Sequence, residues 1–249
     1  MIKRLPRRFV KQNITPPPSP CRLVGSIITP TGLKRALVDT RPPCDIFEIR
    51  FDRFPPVILE SFDPEILRGH KTPILATLRT PSEGGGCRWQ LPQRIAFLEK
   101  ILPHIWGVDL EGRLARHYAP LIKKCRALGK TVILSHHNFR TCPPSSALES
   151  RLRRLQKAGA DIAKAALFLA DAQDLSRLLS LCAAWKGRAA LMGMGPLATR
   201  SRLELAAAGS ALVYGYYDRP AAPGQVACAR LRRHLGHPLN YPSRRTKSR

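Results

Sequence analysis

The sequence predicts an α/β protein of the (β/α)8-barrel (TIM barrel) class, built as a single domain. Three observations support this. Eight short apolar or β-branched runs recur along the chain. Amphipathic stretches separate them, the alternation expected of parallel βαβ units. At 249 residues the chain has the length of one such barrel and no room for a second catalytic domain.

The eight predicted strands are Leu23–Ile28, Asp45–Phe51, Pro73–Leu78, Ile105–Leu110, Thr131–His136, Asp161–Leu167, Ala189–Met192 and Ser210–Gly215. Between them Ile95, Leu98 and Leu102 repeat at helical spacing, as do Leu148, Leu152 and Leu155, so each stripe packs on the barrel wall. Ser146 and Glu149, just after Pro143-Pro144, have the spacing of a capping box and mark a helix start. Residues 1–20 read as a flexible basic, Pro-rich extension, 21–240 as the catalytic barrel and 241–249 as a basic tail.

Composition sets further bounds. Hydrophobic residues make up 44% of the chain and charged ones 24%, as in ordinary globular proteins. No apolar run approaches the ~20 residues of a membrane span, and the opening MIKRLPRRFVKQNITPPPSP lacks the apolar centre of a secretory signal, so a cytoplasmic protein is expected. Seven scattered cysteines without a C-x-x-C pair read as reduced structural thiols and not as a metal site. The net charge of +25 is concentrated at the ends: no acidic residue precedes Asp39 or follows Asp218, and each of those ends carries eight Lys or Arg. Such clusters bind polyanions through counterion release, but neither aromatic interleaving nor a nucleic-acid motif accompanies them, so solvated charge is the expected reading.

Barrel enzymes place their chemistry at the carboxyl ends of the strands. Unusual polar residues gather there. Strand two carries Glu48, Arg50 and Asp52 in EIRFD, on one face by alternation. Strand three ends in TLRTPSEGG with Arg79 and Glu83, strand four in VDLEG with Asp109 and Glu111, and strand five in ILSHHNF. Lys164 interrupts the apolar strand six, where an ammonium without a counterion is costly; a lysine whose ammonium form is disfavoured there attacks carbonyls. Arg50, Arg79 and Arg202 are candidates for a positive environment around it. His136 and His137 are adjacent on a strand, so only one faces the axis, and imine chemistry needs one such proton carrier. Glu83 can orient that imidazole or be a solvated loop acid. Gly84-Gly85-Gly86 lacks a phosphate-loop pattern and reads as a turn of close backbone approach. Arg202 opens a helix and is either a carboxylate ligand or a surface cation.

Taken in order, EIRFD, TLRTPSEGG, VDLEG, ILSHHNF, GADIAKAA, the MG-to-SR stretch and APGQ resemble the type I 3-dehydroquinate dehydratase family over roughly residues 22–236. The resemblance implies dehydration of 3-dehydroquinate to 3-dehydroshikimate, a shikimate-pathway step, on a dimeric barrel with no metal or organic cofactor. It matches Lys164 to the imine-forming lysine, His137 to the general base and acid, and Glu83 to the carboxylate paired with it. Glu48, Arg50 and Arg79 match residues around the ring hydroxyls, Arg202 and Gln225 those at the carboxylate, and Ser26 a serine ending strand one. Departures are Asn138 for an aspartate, Ala198 for a glycine and Ala221 for a lid-loop serine, the last implying a lost contact of about 0.5–1.5 kcal/mol. Two rival readings are another Schiff-base barrel lyase or aldolase, whose usual phosphate cradle the loop YYDRPAAPGQ lacks, and a non-catalytic barrel that binds polyanions.

Overall fold

The computed structural model describes residues 21–221 and 224–235. The proposed extension 1–20 and tail 241–249 lie outside them. Eight strands and eight helices alternate: β1 (Arg22–Ile27), α1 (Pro30–Val38), β2 (Ile46–Arg50), α2 (Pro56–Glu60), β3 (Ile74–Thr77), α3 (Leu91–Ile101), β4 (Gly107–Glu111), α4 (Ala119–Ala127), β5 (Thr131–Asn138), α5 (Ser145–Lys157), β6 (Ile162–Phe168), α6 (Ala172–Ala184), β7 (Ala189–Met194), α7 (Ala198–Ala207), β8 (Leu212–Tyr216) and α8 (Cys228–Leu235).

All strand pairs are parallel, in the order β7-β6-β5-β4-β3-β2-β1-β8. The sheet curls until β7 and β8 meet, but those two share no ladder. Their seam is stitched by Ala211 N–H donating to Ala189 O at 2.7 Å and by Ser210, whose hydroxyl accepts from Leu191 N at 3.0 Å. The result is a nearly closed (β/α)8 barrel.

Helix starts follow the local sequence. Thr29 caps α1, its hydroxyl accepting from Gly32 N at 2.8 Å, and Pro30 supplies a fixed φ in the first turn. Helix α5 starts directly after Pro143-Pro144, as expected, but not through a capping box: Ser146 lies inside the helix, and Glu149 pairs with Arg153 one turn on. A capping box does occur at α3, between Gln90 and Gln93. Leu148, Leu152 and Leu155 form the buried face of α5, each burial stabilising by roughly 1.5–3 kcal/mol. On α3 the buried face is Phe97, Leu98 and Ile101; Ile95 is only partly buried, and Leu102 begins a following 3-10 turn.

Two apolar clusters result. The larger joins the helices to the outside of the sheet. The smaller fills the barrel axis with Val24, Ile46, Leu75, Ile133, Ile162, Ala166, Ala190, Met192, Leu212 and Tyr214. This plug closes the lower barrel, and the polar groups of the site lie above it at the carboxyl ends of the strands.

Candidate active site

Side-by-side residues of a parallel ladder share a face. The register places Ser26 beside Glu48, Arg50 beside Thr77, Thr77 beside Asp109 and Ser135 beside Lys164. The expected polar ring therefore forms just above the apolar plug. Lys164 is 4% exposed, and its ammonium does have a counterion: Nζ lies 2.7 Å from Asp109 Oδ2. The other Asp109 oxygen accepts from Arg79 Nη2 at 2.7 Å. Burial would push the Asp109 carboxyl up, but Arg79 and Lys164 outweigh it and hold the group well below the usual carboxylate range.

Arg79 is buried and holds three partners. Besides Asp109, its Nη1 donates to Ser135 Oγ at 2.6 Å and to Glu83 Oε2 at 3.3 Å. The same Glu83 oxygen lies 2.9 Å from His137 Nδ1. A continuous polar chain thus runs Lys164, Asp109, Arg79, Glu83, His137. Burial raises the Glu83 carboxyl to about 7; Arg79 opposes the rise and Glu111 reinforces it. Burial, then the positive charges of Arg79 and Lys164, push His137 well below the ordinary histidine range. His137 is therefore a neutral imidazole at neutral pH. His136 is lowered to about 4 by burial and Arg151, and it has no bond to the chain of charges. The alternation expected of the two histidines holds.

The loop carrying Glu83 is shaped by its glycines. Gly84 sits at φ +76°, and a Cβ on Gly85 would lie 2.0 Å from Arg79 O, so the backbone folds tightly over the arginine. Glu111 anchors the same loop by accepting from Thr80 N at 2.9 Å.

Glu48 accepts from Ser26 Oγ at 2.6 Å and from Thr77 Oγ1 at 2.9 Å. Arg50 grips Asp52 through two 2.8 Å bonds. On the opposite wall Arg202 is 7% exposed and bonds only to carbonyls, from Nε to Tyr214 O at 3.0 Å and from Nη1 to Ala198 O and Gly224 O. Among the described residues no carboxylate pairs with it, and burial lowers it to about 10. Gln225 closes the neighbouring loop, its Oε1 accepting from Ala221 N at 2.7 Å. Asn138 caps its own turn by accepting from Arg140 N and Thr141 N, the local work an aspartate would do there.

Eight of the nine residues singled out in the sequence, Ser26, Glu48, Arg50, Arg79, Glu83, His137, Lys164 and Gln225, come from the strands and the loops that follow them, whereas Arg202 does not open a helix as expected but lies in the middle of α7. Sequence reasoning missed the places of Asp109, Thr77 and Ser135 in this network. Asp109 in VDLEG carried the only usable signal, an acid late on a barrel strand. A cationic environment for Lys164 is also only part of the picture, because Arg50 and Arg79 are each bound to carboxylates.

The fold and these residues define a barrel enzyme with a buried lysine and a carboxylate-held imidazole at its mouth, a lyase constellation. The chain belongs to the type I 3-dehydroquinase family, whose model matches residues 30–238, and it is accordingly a hydro-lyase. It is 30% identical over 215 residues to the 3-dehydroquinate dehydratase of Methanocella arvoryzae, covering 85% of this chain and 94% of the relative. It is 32% identical over 216 residues to that of Klebsiella pneumoniae, covering 81% and 84%. Among solved structures it resembles the type I 3-dehydroquinate dehydratase of Clostridium difficile, solved with covalently modified comenic acid, at 26% identity and TM-score 0.78 over 90% of this chain and 94% of that one. The family match sets aside the aldolase and polyanion-binding readings.

Proposed function

We propose that the chain dehydrates 3-dehydroquinate to 3-dehydroshikimate through an imine on Lys164, with His137 as proton carrier and Glu83 as its orienting partner. The observation that carries the reading is the polar chain joining Lys164 to His137 through Asp109, Arg79 and Glu83.

The steps follow from the states of the groups. His137, neutral, takes a proton from the Lys164 ammonium, and the amine adds to the C3 carbonyl carbon. The proton returns to the carbinolamine oxygen, which leaves as water, and the nitrogen becomes an iminium. This electron sink acidifies C2, and His137 Nε2 removes a C2 proton to give an enamine. The enamine electrons expel the C1 hydroxyl, which takes the same proton and departs as water. A further water adds to the conjugated iminium and releases product and Lys164.

Glu48, with Ser26 and Thr77 behind it, meets ring hydroxyls together with Arg50 and Arg79. Arg202 and Gln225 take the substrate carboxylate, for which an unpaired guanidinium suits. The reading extends to a homodimer in the cytoplasm, with residues 1–20 and 241–249 outside the chemistry. In keeping with that placement, no described helix is long and apolar enough to cross a membrane.

Borohydride added during turnover should reduce the iminium and leave a substrate-derived adduct on Lys164, read by peptide mass spectrometry. An adduct on another residue, or none in an active enzyme, overturns the reading.

A further inference from the structure

Tyr214 stands apart from every residue assigned so far. It lies on β8 in the apolar plug, 4% exposed, and the Lys164 ammonium sits 4.0 Å from the centre of its ring. That is within range for a cation held against a π face. Its hydroxyl is buried and has no hydrogen-bond partner among the described residues. Three other buried polar side-chain atoms share that condition among the described residues, on Arg94, Arg177 and Trp185. All three belong to helix α3 or α6 or to the cap of α6, outside the sheet. Tyr214 alone faces the axis.

A buried hydroxyl without an acceptor is unfavourable by about 1–3 kcal/mol, so a phenol is a poor choice for mere filling where phenylalanine would serve. Burial, with Asp109 and Glu48 nearby, raises the phenol well above its ordinary range, so it remains a neutral O–H donor throughout the working pH range. The charged groups it senses are Asp109, the counterion of Lys164, and Glu48, Arg79 and Arg50, which meet the substrate in the proposed reaction. The ring face and the hydroxyl therefore have separate uses. The face lies under the nitrogen that is cationic both as ammonium and as iminium. The hydroxyl is a spare donor buried among the groups around Lys164.

We infer that Tyr214 is a positioning residue, its ring face holding the cationic nitrogen of Lys164 and its hydroxyl donating a hydrogen bond to an oxygen of the bound substrate. The inference rests on the imine reading above. Two variants separate the two uses. Tyr214→Phe keeps the face and loses the donor, so KM should rise about 2- to 12-fold, the scale of one neutral hydrogen bond, with kcat nearly unchanged. Tyr214→Leu loses both, and its kcat should fall a further ~2- to 30-fold below that of the Phe variant, the scale of a cation–π contact. If the Leu variant does not fold, Tyr214→Met takes its place. A residue that merely fills space would affect melting temperature and leave the KM-against-kcat split unmoved.

Borohydride trapping of substrate on Lys164 is run alongside in the wild-type protein. A wild-type adduct, combined with an unchanged KM in Tyr214→Phe or with equal kcat in the Phe and Leu variants, overturns the inference and leaves the imine reading standing. Absence of the wild-type adduct in active enzyme overturns the imine reading itself.

Discussion

The two walls of the barrel mouth handle charge differently. On the wall from β2 to β6, cations and carboxylates are bonded to one another: Lys164 and Arg79 to Asp109, Arg79 and His137 to Glu83, Arg50 to Asp52. On the β7–β8 wall the buried cation Arg202 bonds, among the described residues, to backbone carbonyls alone. In the proposed reaction the reacting groups are thus fixed before substrate arrives, which lowers the reorganisation needed in the transition state. On the same reading Arg202 keeps a full charge for an incoming anion, so that chemistry is prewired on one side and specificity is left open on the other.

Substitutions on the prewired wall should act on kcat, and those on the open wall on KM. The largest effect is expected for His137→Ala, a drop in turnover of ~10² to 10⁴, whereas His136→Ala, which touches none of the charged chain, should keep most activity. Steady-state kinetics on the two folded variants makes the comparison, and equal losses would break the distinction between the neighbours. Next comes Arg202→Leu, which should raise KM roughly 30-fold or more, since a buried charge that pairs with a ligand carboxylate is worth ~2–5 kcal/mol, with a far smaller change in kcat. A variant that lost kcat and kept KM would move Arg202 to the other wall's role.

The smallest of the three sharpens the prewired side through pH. With Glu83 ionised, His137 donates from Nδ1 and its Nε2 lone pair is free to act as base. As pH falls through about 7 the carboxyl takes a proton and becomes the donor, which forces the proton onto Nε2 and blanks the base. Turnover should therefore rise with pH through about 7. Glu83→Gln should remove that inflection and lower kcat roughly 10- to 100-fold, the scale of one hydrogen bond to a charged group. An inflection persisting unchanged in the Gln variant would assign it to another group.

Much of the architecture was legible because strand and helix periods are local. Each of the eight expected strands is present, though β4 and β8 each begin two residues late, β4 because the 3-10 turn at Leu102–His104 delays it, and β5 runs on to Asn138 to hold His137 within the ladder. The resemblance supplied the residues with distinctive neighbours, such as Lys164 inside an apolar run. Asp109, Ser135 and Tyr214 were not assigned roles because their significance lies in register. Asp109 and Lys164 are 55 positions apart, and only the stagger of β4 and β6 on either side of β5 brings them to 2.7 Å. The capping box at Ser146 failed for a related reason: the Pro144 carbonyl already accepts from Ala147 and Leu148, so the helix starts one residue ahead of its supposed cap.

The seam between β7 and β8 also bears on how the chain reaches this state. Strand β1 zips to β8, pairing Arg22 with Leu212, so the hoop closes only when segments almost two hundred residues apart meet. Bringing distant segments together is entropically slow compared with forming neighbouring βα units, which need only local loops. With no ladder from β7, the last strand is secured on that flank chiefly by the Ser210 hydroxyl and one backbone bond. Late docking of β8 would then bring Tyr214 beneath Lys164 last, after the chain of charges on β3 to β6 has been assembled from neighbouring βα units.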